Sequence, residues 1–472
     1  MAKAQKTGKF LGVFALAMIN VSLICSLRGL PTMAEYGLTV IFFLMVSVVF
    51  FLIPVSLVSA ELATGWPKGG GIYVWVREAF GEKMGFVTII LQWVQNLVFY
   101  PTALAATAAV IAYLFVKPEL ANNQYYTLAV IIIVYWLSVL INLRGMKVSG
   151  RFTSIGTILG IIFPGVLLFV LGLAWIFSGQ DFALTVDLEA LIPDLGKVNN
   201  FVLLTGMFLF FAGMEVSGVH AMEVKNPTKD YPKAIFIAAL IVTAIFLFGS
   251  LAIALIIPTS ELSLTAGIMQ TYLAVLNKFN LGWLVPIIAL LAAPGMVVQV
   301  SSWIVGPSRG LLVTAQNGDL PPFFQKMNKN KMPVHIMIVQ GILVSIIACV
   351  FMLMPSVSSS FWILTALAAI LYLTVYIIMF AAAIKLKYSQ PNTKRAYEVP
   401  GGKIGMWIIA GIGSLACLSA IFFGFFPPSQ ISTGSVGRYV GLLVIGYIVL
   451  GFIPFIVYAF RKKSWKKTIK ID

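Results

Sequence analysis

Two apolar stretches carry polar groups that a lipid-facing helix should not hold. The first contains Asn20, Ser22, Ser26, Arg28 and Gly29 and runs into Pro31. Proline removes a backbone donor and crowds the turn before it. Peptide groups released inside a membrane must find partners, so an opened segment persists only beside a polar cavity. The alternative is a simple proline kink near one membrane surface. Arg28 has two readings. It pairs with Glu35 as a structural ion pair, or it faces a cavity and attracts a substrate carboxylate.

The second stretch runs from Phe208 to Glu223 and places Glu215 within an apolar run, flanked by Gly206, Gly213 and Gly218. A carboxylate there is costly unless paired, hydrogen-bonded or protonated, and the glycines permit unwinding or close helix approach. Glu215 is therefore the strongest single polar candidate, as a functional acid or as a cap on a broken half-helix. His220 and Glu223 fall nearer the end of the stretch, where solvation is expected. Further polar and aromatic groups are Gln92, Trp93, Gln95, Asn96 and Tyr100, then Gln299, Ser301 and Ser302, then Thr365, Tyr372, Thr374 and Tyr376. Such groups line cavities or hydrogen-bond between helices, the second use being the more frequent for each taken alone.

No enzyme constellation accompanies them. The two histidines, His220 and His335, are far apart, and Cys25, Cys349 and Cys417 are dispersed through apolar spans, so neither a metal site nor a disulfide framework follows. There is no phosphate-binding glycine loop and no nucleophile elbow. Gly69-Gly70-Gly71 reads as a turn before a short amphipathic stretch.

The elements that position these residues are membrane helices. Of the 472 residues 60% are hydrophobic and 10% charged, with a mean hydropathy of +0.99, which leaves too few charges to cover a water-soluble surface. Twelve spans are predicted, at 10–33, 38–62, 85–115, 124–143, 154–178, 198–220, 234–257, 283–306, 334–354, 360–386, 405–426 and 436–460. The short basic segment Met1–Lys9 leads into the first of them and reads as a helix start, not a removed signal peptide. The net charge of +16 would suggest nucleic acid in a soluble chain, but here the positive residues lie in connections between spans. With twelve crossings, all 32 lysines and arginines except Arg28, Lys117, Lys197, Lys278 and Arg438 fall on one side. By the positive-inside rule that basic side is the cytoplasm and holds both termini, which makes the chain an integral protein of the plasma (inner) membrane. The tail Arg461–Lys470 reads as an anchor to anionic headgroups.

The broken first span and the broken sixth are each the first of five. Five is odd, so a second set must enter from the opposite side, giving an inverted pair (1–180 and 198–387) with a site between the discontinuous helices. Residues 405–460 supply two further spans and 461–472 a basic tail.

Several motifs add a family resemblance: Pro54-Val55 through Glu61-Leu62-Ala63-Thr64, Gly69-Gly70-Gly71-Ile72-Tyr73-Val74-Trp75-Val76, Ala79-Phe80-Gly81, Gly213-Met214-Glu215, Asn226-Pro227 with Asp230-Tyr231-Pro232, Ala266 through Thr271, Ser302 through Gly310, Lys326 through Asn330, and Val399 through Lys403. In these, nearly end to end, the chain resembles the amino acid–polyamine–organocation transporters, and among them the glutamate–GABA antiporters. The resemblance implies an all-α membrane protein of the leucine-transporter type, a 5+5 inverted repeat plus two C-terminal helices. It implies a small amino acid or amine as partner, no cofactor, and a substrate held at the unwound backbone. By position that is Ile24, Cys25, Ser26 and Leu27 with Phe210, Phe211, Ala212 and Gly213, while Glu215 matches the family's helix-6 acid. Arg28, Trp93, Asn96, Gln299 and Tyr372 complete the expected site. Two departures stand out. Glutamate-handling acid-resistance members carry an acid where Gln299 stands and a longer C-terminal segment that closes the cytoplasmic mouth, and span 1 differs around Ser26–Leu30. The expectation is a secondary transporter exchanging an amino acid for a related amino acid or its amine by alternating access. The runner-up is a proton-coupled importer with Glu215 as proton carrier. Sodium coupling through Ser301 and Ser302 is the least favoured.

Overall fold

A computed structural model describes residues 12–67, 70–145, 158–184, 186–216 and 224–465. Among these, eleven helices are long and apolar enough to cross a membrane, and a bent pair, Val13–Ile24 with Leu27–Ala34, makes twelve. Spans 2 to 12 are Gly37–Gly65, Glu82–Leu114, Gln124–Leu143, Ile158–Phe177, Val198–Val216, Lys229–Ile256, Gly282–Gln316, Val334–Met352, Val357–Ser389, Gly402–Gly424 and Val436–Ala459. All twelve predicted spans have a counterpart. The structural fates of Ser217, Gly218, His220 and Glu223, of Gly69, and of the tail from Lys466 lie outside the described residues.

Span 8 differs most from expectation. Pro307 reads as its end, yet the helix continues through Pro294 and Pro307 to Gln316. Neighbouring helices re-satisfy the groups a proline frees, and Tyr100 donates to the Trp303 carbonyl at 2.9 Å, four residues before Pro307. Two other prolines follow a widened helical turn. Val48–Leu52 precedes Pro54, and Ile158–Ile162 precedes Pro164, where a looser turn accommodates the ring.

Span 3 is the centre of the bundle, packed against spans 8 and 10 and buried along nearly all its length. Span 12 is its opposite and buries only Tyr439, Leu443 and Pro454. Connections on the basic side add a second layer of order. The Gly70–Gly71 turn, both residues at positive φ, leads into the short helix Ile72–Phe80. Arg461, read from sequence as a headgroup anchor, is paired internally with Asp319 at 2.8 Å and Glu82 at 3.6 Å.

Candidate functional site

Span 1 opens earlier than its proline suggests. The helix stops at Ile24, and Cys25 and Ser26 are extended (ψ 99° and 108°) before a tight turn at Leu27–Gly29. Pro31 lies in the first turn of the second half-helix, where a missing N–H costs nothing. Pro31 therefore restarts the helix, and the break sits at Cys25–Ser26. Gly29 is required there by proximity, since a Cβ would fall 2.6 Å from the Phe210 ring.

Span 6 opens at the facing level. The helix Leu204–Phe211 ends on extended Ala212 (ψ 148°), and Gly213 turns the chain at φ +122°. A side chain would be strained at that φ, and its Cβ would also press on Trp303 at 3.3 Å.

Between the two openings lies a small cavity of about 20 Å³. Of the residues expected from sequence, Ile24, Ser26, Arg28, Asn96, Phe210, Ala212, Gln299 and Tyr372 line it. Five more line it that sequence reading left out of the site: Leu23, Gln95, Phe99, Leu209 and Trp303. Gln95 and Trp303 carried a signal, the first as a polar residue of span 3 and the second inside a quoted motif. Leu23, Phe99 and Leu209 carried none, because an apolar lining residue looks like core.

The remaining expected residues sit elsewhere. Trp93 is committed to a separate buried network, its indole N–H donating to Gln340 Oε1 at 2.7 Å, so it does not line the cavity. Cys25 contributes its carbonyl. Gln299 Nε2 donates to that oxygen at 3.1 Å, while Ser26 Oγ donates to Gln299 Oε1 at 3.3 Å, so the amide clamps the opened chain. Leu27 faces a second cavity, and Phe211 packs on Phe246 with ring centroids 5.0 Å apart. Gly213 donates its N–H to the Tyr376 hydroxyl at 2.9 Å.

Arg28 does not pair with Glu35. Its Nη1 donates to Thr102 Oγ1 at 2.8 Å, and the guanidinium lies 4.5 Å from the Phe99 ring centre and 5.0 Å from that of Phe210. It is 3% exposed, and its Nε has no partner. Arg28 also lines a second cavity, of about 20 Å³, with Leu27, Pro31, Val110 and Tyr272. The residue thus forms part of the wall between the two.

Glu215 closes the other end. Tyr372 and Tyr376, one helical turn apart on span 10, donate their hydroxyls to its two carboxylate oxygens, the Tyr376 bond being 2.5 Å. Gln92 Nε2 reaches the Tyr372 hydroxyl at 3.4 Å. Beyond Glu215, a larger space of about 370 Å³ is bounded by Gly70, Gly71, Gln92, Trp303 and Arg309, on the basic side. Trp303 lines both this space and the small cavity.

A sequence model of the amino acid permease family matches residues 11–450. The chain belongs to that family. An uncharacterized transporter of Legionella pneumophila is 44% identical, over 96% of this chain and 97% of its own length. A glutamate/gamma-aminobutyrate antiporter of Lactococcus lactis subsp. lactis is 34% identical, over 99% of this chain and 93% of its own. A probable agmatine/putrescine antiporter of the same organism is 26% identical over 88% of each. This permease is therefore an integral membrane transporter whose two opened helices face a common cavity.

Ser301 Oγ donates to Asn142 Oδ1 at 3.0 Å, and Asn142 returns a bond to the Ser301 carbonyl at 3.1 Å. The pair joins spans 4 and 8.

Proposed function

We propose that this permease exchanges an amino acid for a related amino acid, or for its decarboxylated amine, by alternating access. The observation that carries the reading is the cavity between the opened backbones of spans 1 and 6. We read Arg28, shared with the second cavity, and Trp303, shared with the space on the basic side, as barriers on its two sides. A carrier needs such paired barriers, because opening both at once would make a channel. Relatives whose names pair an amino acid with an amine, or two amines, support exchange over one-way uptake.

Within this reading the substrate site comprises Ser26, Arg28, Asn96, Phe210, Ala212, Gln299 and Tyr372 with the opened peptide groups. Spans 1–5 and 6–10 form the inverted pair, the basic side faces the cytoplasm, and the chain carries out no covalent chemistry. Glu215 accepts from two hydroxyls, an arrangement that suits a fixed acceptor tying span 6 to span 10.

Purified protein in vesicles tests the proposal. Uptake of labelled amino acid should accelerate when the lumen is preloaded with unlabelled amino acid or amine. Uptake into empty vesicles driven by an inward proton gradient, with no gain from preloading, would replace exchange by proton-coupled import.

A further inference from the structure

A groove of about 620 Å³ lies between spans 3, 4 and 8, apart from the cavity at the opened helices. Its walls are apolar, with Ile111 from span 3, Ile141 from span 4, and Leu290 and Val297 from span 8. Ile141 and Leu290 are exposed, so the groove opens outward to the bilayer. Three polar residues also line it, and two of them are already satisfied. Ser138 Oγ donates to the Val134 carbonyl at 2.8 Å, and Ser301 Oγ donates to Asn142 Oδ1 at 3.0 Å. The third is Arg144, exposed at the basic end of span 4. Its guanidinium has no hydrogen bond or ion pair among the described residues. No Asp or Glu stands between Glu119 and Asp181 in the sequence, so its own segment supplies no counter-charge. The backbone beneath it is pinned. Asn142 Nδ2 donates to the Ser301 carbonyl at 3.1 Å, and Asn328 and Asn330 both donate to the Leu143 carbonyl, at 2.7 and 3.0 Å. The guanidinium therefore projects from a fixed point at the groove, not from a free loop.

We propose that this groove binds one anionic phospholipid of the leaflet on the basic side, with an acyl chain along the apolar walls and the phosphate on Arg144. Hydrocarbon fills an apolar groove in a bilayer without a hydrophobic gain, so packing alone does not choose among lipids. The choice comes from the one open cation. A guanidinium meets a phosphate through two parallel hydrogen bonds, and basic pockets between membrane helices on that side recognise anionic headgroups. A choline headgroup carries its own ammonium and answers that charge less well. Amino acids and amines find no open polar group here besides Arg144, so the groove is no second transport site. Val298 and Ser301 of the groove flank Gln299, whose amide clamps the opened part of span 1. A lipid in the groove thus packs behind the helix that holds the clamp. Which leaflet this is rests on the orientation proposed above; the site itself does not.

Native mass spectrometry of the full chain in neutral detergent tests this, with dioleoyl phosphatidylglycerol, dioleoyl phosphatidylcholine and soluble glycerol 3-phosphate as probes. One phosphatidylglycerol per chain should be retained with about tenfold preference over phosphatidylcholine, the size of one charge-assisted contact. R144Q should abolish that preference, and R144K should keep part of it. V297W, which fills the groove and leaves the arginine, should lose the bound lipid. K233Q removes an exposed charge from the basic end of span 7 and should bind as the unaltered protein does. Glycerol 3-phosphate, a headgroup without chains, should not bind. Equal retention of the two lipids, or the same loss of preference in R144Q and K233Q, would reduce Arg144 to a general headgroup contact and overturn the proposal. So would an unchanged preference in V297W, or glycerol 3-phosphate binding as well as the lipid. Melting in lipid-free detergent identifies a misfolded variant. Should V297W prove to be one, R144Q against K233Q decides alone.

Discussion

Two regions of this permease bury positive charge, and they do so in opposite ways. Near the basic end of span 2, Glu61 is 2% exposed and meets Lys387 Nζ at 2.8 Å and Arg395 Nε at 3.3 Å. Its other oxygen accepts from the Val399 N–H at 2.7 Å, and Lys387 also reaches Glu398 at 3.1 Å. Thr64 and Tyr397 bond to each other beside it, and the Arg395 guanidinium lies 5.2 Å from the Trp66 ring. Carboxylate and cations are thus matched, and the turn after span 10 is fastened to the end of span 2. At Arg28 the same kind of charge has one neutral partner and two rings. Buried ion pairs that satisfy each other hold helices together. A buried charge left open to a cavity is held ready for something that arrives.

The contrast predicts opposite responses to mutation. E61Q should be the most destabilising change, because it strands two buried cations. A loss of about 3–5 kcal/mol is expected for breaking such a pair, read as a large drop in melting temperature in detergent. R28M should leave the melting temperature unchanged or higher. An equal drop in both would mean that Arg28 has an internal counter-ion and would erase the distinction.

Next in size is G213A. Its φ of +122° makes about 1–3 kcal/mol of strain, and exchange should fall with stability because the span 6 opening itself is distorted. Y376F should follow. It removes the hydroxyl that links the Gly213 N–H to Glu215 and leaves both without that partner, at a cost of about 1–3 kcal/mol, with exchange impaired more than folding. Smallest is Q299A, which frees the Cys25 carbonyl and the Ser26 hydroxyl. About 1 kcal/mol is expected for a neutral hydrogen bond, seen as weaker substrate-induced stabilisation in thermal shift.

Sequence reading reached some of these residues and missed others for identifiable reasons. Glu61 appears in a family motif and stands inside an apolar span, so its signal was available. Its partners lie 326 and more residues away, and nothing local announces that pairing. Pro31 illustrates the reverse. Its type marks a disruption, but only the backbone shows that the break comes earlier and that the proline opens the next half-helix. Trp93 and Asn96 are one turn apart on span 3, and from sequence both look equally suited to a cavity. The Gln340 amide on span 9 claims the tryptophan and leaves the asparagine at the site.

What the sequence determined by itself is the membrane class, the twelve spans and which two of them, spans 1 and 6, carry the disruption. These follow from local physics: about twenty apolar residues cross a bilayer, and a backbone poor in helix-forming residues breaks where a polar cavity tolerates it. The tertiary structure alone decided which polar groups were spent on one another and which remained free. Arg28 meets Thr102 and the rings of Phe99 and Phe210, not the nearby Glu35. That choice depends on how separate helices pack. Charge, burial and the absence of a counter-ion among the described residues become visible together only once they have.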